Sequence, residues 1–207
     1  PQRKMTGFGV ERLEINDDYA HLFAQISRGD KSVFKGDFDY TKLQMSYIQP
    51  WQIGGIGRLT TTIEAGKTFG AVPLGLLSVI PGNQSYFSIY NTFSQLEYYE
   101  FVSDTYTSLN FEHNFNGRFL SRIPFLRKFN LREIVGIRGV WGEISDENIA
   151  LSTTTNPNSI PLVAPNDKVY YEYSFGVGNI FKIFRFFKIR SYPEDFDIVK
   201  IINIPIF

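Results

Sequence analysis

Through four stretches of this chain, apolar and polar residues alternate one by one, the period of an extended strand that turns successive side chains to opposite faces of a sheet. In residues 169–181, Val169, Tyr171, Tyr173, Phe175, Val177 and Phe181 share one face, and Glu172, Ser174, Gly176 and Gly178 share the other. In 105–116, Leu109, Phe111 and Phe115 oppose Ser108, Asn110, Glu112, Asn114 and Asn116. In 56–66, Leu59, Thr61, Ile63 and Ala65 oppose Arg58, Thr60, Thr62, Glu64 and Gly66. In 131–142, Val135, Ile137 and Trp141 oppose Arg132, Gly136, Arg138 and Gly142. No long helical period competes with these.

Less regular runs predict further strands at 5–15, 19–27, 38–48, 86–93, 181–190 and 198–207, which brings the expected total to about nine or ten, joined as consecutive antiparallel hairpins. Two connections, 68–84 and 145–167, are rich in Pro, Gly, Asn, Thr and Ser and read as exposed loops. Residues 117–130 mix basic with apolar side chains; Pro124 excludes a central strand there, and a short interfacial element is expected instead. The apolar-looking stretch 69–80 is too short, and too interrupted by Gly and Pro, for a membrane-spanning helix of about 20 residues. The expected fold class is therefore all-β, an antiparallel meander forming all or part of a barrel.

Alternation alone leaves open which face meets solvent. A soluble barrel or sandwich turns its apolar face inward, whereas an outer-membrane barrel turns it to lipid around a polar lumen. Two features favour the membrane arrangement. The polar faces carry Arg58, Glu64, Asn110, Glu112, Arg132 and Arg138, suited to a hydrogen-bonded and charge-paired lumen. Leu59, Ile63, Leu109, Phe111, Val135, Ile137, Trp141, Tyr173, Phe175 and Val177 would then face lipid. Aromatics also gather near segment ends, as Tyr98, Tyr99 and Phe101 do, in keeping with interfacial girdles. The competing arrangement is a soluble β-barrel or sandwich that binds an apolar small molecule in an interior lined by Phe111, Phe175 and Val177.

Composition narrows the chemistry. With no cysteine among 207 residues, there is no disulfide framework, thiol nucleophile or Cys-based metal site. Lys plus Arg and Asp plus Glu are both 21, so no global charge draws nucleic acid, and no nucleic-acid partner is expected. Aromatics make up 16% of the chain, a bias toward strands. Neither His21 nor His113 has ligand spacing, and His113 shares the apolar parity of Phe111 and Phe115, which favours sheet packing. The Asp37/Asp39 and Asp195/Asp197 pairs have the i, i+2 spacing of Ca²⁺ ligands but read better as solvated loop or rim. Gly54-Gly55-Ile56-Gly57 and Gly176-Val177-Gly178 follow no phosphate-loop pattern and read as strand bends or close packing. The run 182–190 interleaves four cations with aromatics and reads as a membrane-interface edge with snorkelling basic groups. No cofactor, metal site or catalytic constellation is expected.

Several motifs occur in an order that resembles a known family. They are Gly54-Gly55-Ile56-Gly57-Arg58-Leu59, Gly66-Lys67-Thr68-Phe69-Gly70-Ala71-Val72-Pro73-Leu74, residues 107–148 with Ile134-Val135-Gly136-Ile137-Arg138-Gly139-Val140-Trp141-Gly142, and Tyr171-Glu172-Tyr173-Ser174-Phe175-Gly176-Val177-Gly178-Asn179. Across residues 5–185 the chain resembles the C-terminal barrel of a Bacteroidota outer-membrane family of unknown function, often preceded by a carboxypeptidase-regulatory-like β-sandwich. The resemblance implies a non-enzymatic, surface-antigen-like barrel in a Gram-negative outer membrane, with a structural, transport or surface-assembly role. Its partners would be outer-membrane lipid and other envelope proteins. Residues 1–207 would then be the C-terminal portion of a larger barrel, with earlier strands and a periplasmic domain upstream. The last residues, 186–207, depart from the Gly-rich pattern of the family, and Pro205 would interrupt a closing ladder.

Overall fold

A computed structural model describes residues 5–6, 13–14, 19–32, 36–85, 89, 91–155, 169–182, 184–192 and 197–202. In chain order the strands are β1 (Met5–Thr6), β2 (Leu13–Glu14), β3 (His21–Gly29), β4 (Tyr40–Gln52), β5 (Arg58–Phe69), β6 (Ser78–Val79), β7 (Val102–Ser103), β8 (Thr105–Asn114), β9 (Arg132–Glu143), β10 (Tyr170–Ile180), β11 (Phe184–Tyr192) and β12 (Asp197–Ile202). Eight of them form one antiparallel sheet in the order β12-β11-β10-β9-β8-β5-β4-β3, with β3 and β12 as open edges. The fold is all-β, as the alternation predicts, but the sheet is not closed.

Three expectations about the path of the chain are corrected. Residues 5–15 form not one strand but the short β1–β2 hairpin. β5 and β8 are neighbours without being a hairpin, because residues 70–104 leave the sheet, form the small β6–β7 ladder and return. The strand expected at 86–93 lies in this excursion; 86–88 and 90 are outside the described residues, and Phe93 makes only an isolated bridge to Gly82. Nor are the two loops simply exposed. Val72, Leu77, Ile80 and Asn83 are buried, and Asp146–Thr155 forms helix α2. Val72, Leu77 and Ile80 supply apolar contacts inside a stretch whose Pro and Gly content suggested a surface loop, so burial overrode composition.

Register assigns every strand residue to one of two faces. A row on the outer face runs Tyr47, Ile63, Leu109, Gly139, Tyr171, Tyr192 across six strands. Directly behind it, the inner face carries Ile48, Thr62, Asn110, Arg138, Glu172, Ser191. The excursion 70–104 packs on the inner face. One cluster joins Ile80, Phe93 and Leu96 of the excursion to Val140 and Tyr170 of the sheet. A second joins Val72, Leu77 and Val102 to Ile144, and a third packs Ile134 against Phe187 and Ile189. Nothing described covers the outer face, where Ile137 is 53% and Phe175 56% exposed.

Glycines on the inner face make room for aromatic rings across the ladder. Gly66 stands opposite Tyr106, and Gly176 opposite Phe187, and a Cβ built on either would enter the facing ring. Such pairs let a ring lie flat over the neighbouring backbone. Residues 117–130 form a 3-10 turn, Leu120–Arg122, followed by the one-turn helix α1 (Pro124–Arg127), with Pro124 at the helix start where its missing N–H costs nothing. Phe119, Ile123, Phe125 and Phe129 are exposed there, with the Lys128 ammonium 4.7 Å and 5.0 Å from the Phe125 and Phe129 rings.

Substitution of Gly176 by Val would put a Cβ 2.5 Å from the Phe187 ring and 2.8 Å from the Phe186 carbonyl oxygen. Overpacking of this kind costs roughly 1–3 kcal/mol. The expected outcome is a lowered denaturant midpoint for Gly176→Val; an unchanged midpoint would contradict the packing of β10 on β11.

Candidate functional site

The inner face is a polar surface closed off by the excursion. At its centre, register sets Arg138 between Asn110 and Glu172. The Arg138 Nε donates to Asn110 Oδ1 at 3.3 Å, and its Nη1 donates to the Thr92 carbonyl of the excursion. Glu172, 2% exposed, accepts the backbone N–H of Ser94 at 2.9 Å and of Gln95 at 2.7 Å, and the Tyr170 hydroxyl at 3.0 Å. Gln95 in turn donates to the Ile189 carbonyl at 3.1 Å. Residues 92–95 are thereby pinned across β9, β10 and β11 by hydrogen bonds to the half-buried Arg138, the buried Glu172 and the Ile189 carbonyl, those to the charged groups worth about 1.5–3 kcal/mol each.

A second polar knot holds the excursion at the end of the sheet where β5 stops. The Asp104 carboxylate accepts Ser145 N–H at 2.7 Å, Asn148 Nδ2 at 3.0 Å and the Thr105 hydroxyl at 3.1 Å, while Asn148 Oδ1 accepts Val72 N–H at 2.9 Å. Burial by itself would raise the Asp104 pKa, but donation from the Ser145 side chain and backbone, Asn148 and Thr105 outweighs it and holds the carboxyl below its ordinary value. At the opposite end, Glu133 accepts Phe119 N–H at 3.0 Å and also the N–H of Leu120, fastening the 117–130 connection to β9.

The polar residues singled out from sequence all fall on the inner face, in two places. Asn110 and Arg138 meet at the centre. Arg58, Glu112 and Arg132 line one cavity at the end of the sheet marked by the β4–β5 turn. Glu64 stands apart, within 3.3 Å of the Ser46 hydroxyl. The expected charge pairing is corrected: among the described residues the ion pairs are Arg28–Asp30 and Lys31–Asp39, both beside the β3–β4 connection. Register explains this. Glu64 faces Ser46 and Ser108, and Glu112 faces Thr60 and Gly136, so no arginine lies directly across from either carboxylate. The carboxylate that does matter at the centre, Glu172, was visible only as a lone charge on the small-residue face of 169–181. Its partners at 94 and 95 lie 78 and 77 residues away and carry no sequence signal.

Leu59, Ile63, Leu109, Phe111, Val135, Ile137, Trp141, Tyr173, Phe175 and Val177 share the outer face, none of them buried. Phe111 and Phe175, expected in the soluble arrangement to line an apolar interior with Val177, are instead exposed on the uncovered side. His113 is on this face too, its Nε2 3.2 Å from the Ile56 carbonyl oxygen and its ring edge-on to Phe115 at 4.2 Å. Asp39 is engaged by Lys31, and Asp195 is outside the described residues. Among the described residues no group of three or more acidic or histidine side chains could hold a metal, and no helix is long and apolar enough to cross a membrane. Of the cations in 182–190, Lys182 is in the β10–β11 turn, Arg185 is on the inner face, and Lys188 and Arg190 are on the outer face.

Residues 1–147 match the family described as the C-terminal domain of a family of unknown function, DUF5686. The chain belongs to this family. No curated protein matches it. The matched region takes in β1 to β9 and the excursion, so the β9 side of the Arg138 row lies within the family domain and Glu172 follows it.

Two outcomes follow from these contacts. Replacing Glu172 by Gln removes the charge that the Ser94 and Gln95 amides address; the expected loss is roughly 1–3 kcal/mol of stability, with faster proteolysis inside 72–104. Equal protection of that segment in variant and parent would show that Glu172 does not anchor it. Because the Asp104 pKa is depressed in the fold, its contribution is present above the unfolded carboxyl value and is lost as pH falls from about 4 through the depressed folded value. Amide exchange at Val72 and Asn148 should accelerate across that window, and Asp104→Asn should flatten the response while weakening protection at pH 7. An unaltered slope in the variant would assign the acid response to other carboxyls.

Proposed function

We propose that this chain is part of a non-enzymatic outer-membrane β-barrel with a structural, transport or surface-assembly role, its outer face against lipid and its inner face toward a lumen occluded by residues 70–104. The observation that carries the reading is the inverted distribution of polarity. Large apolar side chains stand uncovered on one face, while Thr62, Asn110 and Glu172 are buried on the other. Burying one large apolar side chain is worth about 1.5–3 kcal/mol. Ten of them, five between 38 and 56% exposed and five less so, therefore forgo several kcal/mol in water, on the order of a whole domain's net stability. Hydrocarbon removes that cost.

Dimensions agree. The seven strands from β3 to β11 within the main sheet run from 9 to 13 residues, against the roughly 9–11 that a tilted strand needs to cross a bilayer. Aromatics mark both ends of the outer face, with Trp51 at one and Phe69 and the stacked Tyr171–Tyr192 pair at the other. The two ends also differ in the way such barrels do. One end has the tight β4–β5 and β10–β11 turns together with the 115–131 connection, and the other has the longer excursion and β9–β10 connection. The short-turn end would be periplasmic and the long-loop end external. Lys188 and Arg190 sit on β11 beside the open edge strand β12, where long basic side chains can reach along the face toward the interface. The β3 edge exposes Leu22, Phe23 and Ile26, an arrangement suited to a sheet that continues into further strands. A Bacteroidota source, a preceding carboxypeptidase-regulatory-like sandwich and a surface-antigen-like role remain part of this proposal, on the motif resemblance.

The reading is tested by expression with membrane fractionation. The expected result is recovery in detergent-extracted membranes with heat-modifiable gel migration; recovery as a soluble monomer without detergent would overturn it. Ile137→Arg, with the charge near mid-strand on the outer face, should disfavour insertion by about 2–4 kcal/mol, whereas Thr60→Arg on the inner face should insert like the parent.

A further inference from the structure

The basic residues of this neutral chain are not spread evenly. Five of its eleven arginines, Arg58, Arg118, Arg122, Arg132 and Arg185, line one cavity of about 780 Å³ at the short-turn end of the inner face, together with the carboxylate Glu112. β4 and β11, which both contribute to its wall, are five strand spacings apart, on the order of 24 Å in a flat sheet. The sheet must therefore curl to bring them around one space. Arg58, Arg132 and Arg185 come from three strands with inner-face parity, and Arg118 and Arg122 come from the connection that Glu133 fastens to β9. Arg118 donates to the Gly55 carbonyl, tying that connection to the β4–β5 turn and fixing the wall. Arg58, Arg122, Arg132 and Arg185 have neither an ion pair nor a hydrogen-bond acceptor among the described residues.

We infer that this cavity is a binding site for a polyphosphorylated ligand. Five guanidiniums against one carboxylate leave a net of four positive charges in one recess, a repulsion that a multivalent oxyanion relieves and a single monovalent anion does not. Guanidinium forks match phosphate oxygens in paired hydrogen bonds, and rings of arginine are how anion and phosphate pathways are lined. The volume accommodates a ligand of the usual small-molecule size. The site goes beyond the membrane reading and does not need it. The shared chemistry is two or more phosphate groups, carried either by a soluble polyphosphate or by a phosphorylated lipid headgroup.

The test uses the full chain, in buffer or in detergent according to where fractionation finds it, titrated at 0.15 M salt with tripolyphosphate, with inorganic phosphate and with a short-chain bisphosphorylated lipid. Saturable binding of tripolyphosphate or of the lipid, with inorganic phosphate much weaker, is expected. Arg132→Gln and Arg185→Gln should each weaken it about tenfold, Arg132→Lys less, and Arg127→Gln, on α1 outside the cavity, not at all. Thermal melting of each variant checks that it is folded. A lipid preference of tenfold or more assigns the headgroup as source, and equal or tighter tripolyphosphate binding assigns a soluble ligand. Absence of saturable binding by both, or equal loss in Arg127→Gln and Arg132→Gln, overturns the inference.

Discussion

A carboxylate buried as deeply as Glu172 must find its donors where it sits, because leaving such a group unsatisfied costs more than most single contacts contribute. β10 supplies only the Tyr170 hydroxyl, since its own amides are committed to the ladders with β9 and β11. Ser94 and Gln95 supply them from outside the sheet, and Arg138 beside Glu172 makes the complementary demand, met by the Thr92 carbonyl. One adjacent pair of inner-face residues thus requires a length of chain to lie across three strands. The excursion between β5 and β8 follows from that requirement as much as from its own apolar residues.

Once residues 70–104 occupy the inner face, the distribution of apolar surface is settled. Ile80, Phe93 and Leu96 pack under Val140 and Tyr170, and Val72, Leu77 and Val102 against Ile144, so the protein's compact core lies between excursion and sheet. The larger apolar surface, from Leu59 through Ile137 to Phe175, is left on the other side. A sheet arranged this way keeps its packed core on the polar side and leaves its larger apolar surface uncovered.

Charge follows a similar separation. Net neutrality conceals carboxylates and guanidiniums that stand at different levels of the sheet. Glu172 and Glu133 are consumed by backbone amides, and Asp104 by an amide, a hydroxyl and the Asn148 side chain. That leaves the arginines of the short-turn end with little acid to answer them. Register prevents any rescue, because strand neighbours are fixed two residues at a time and the glutamates at 64 and 112 face Ser, Thr and Gly.

The amino-acid sequence by itself determined the strands and the two faces of each. Alternation is a local property of consecutive residues, and a period of two survives any packing, which is why the membership of both faces in 56–66, 105–116, 131–142 and 169–181 was legible before any fold was known. It also showed which residue types the polar face would carry. Tertiary structure alone decided which face is covered, because the covering comes from a segment whose composition reads as surface loop and whose contacts reach 77 and 78 residues along the chain. It alone replaced the expected Arg–Glu pairs with Arg138–Asn110 and Glu172–amide bonds, since pairing depends on register between strands and not on the order of charges within one. And it alone gathered arginines from β5, β9, β11 and the 117–130 connection around one cavity, because only the curl of the sheet brings those ends together.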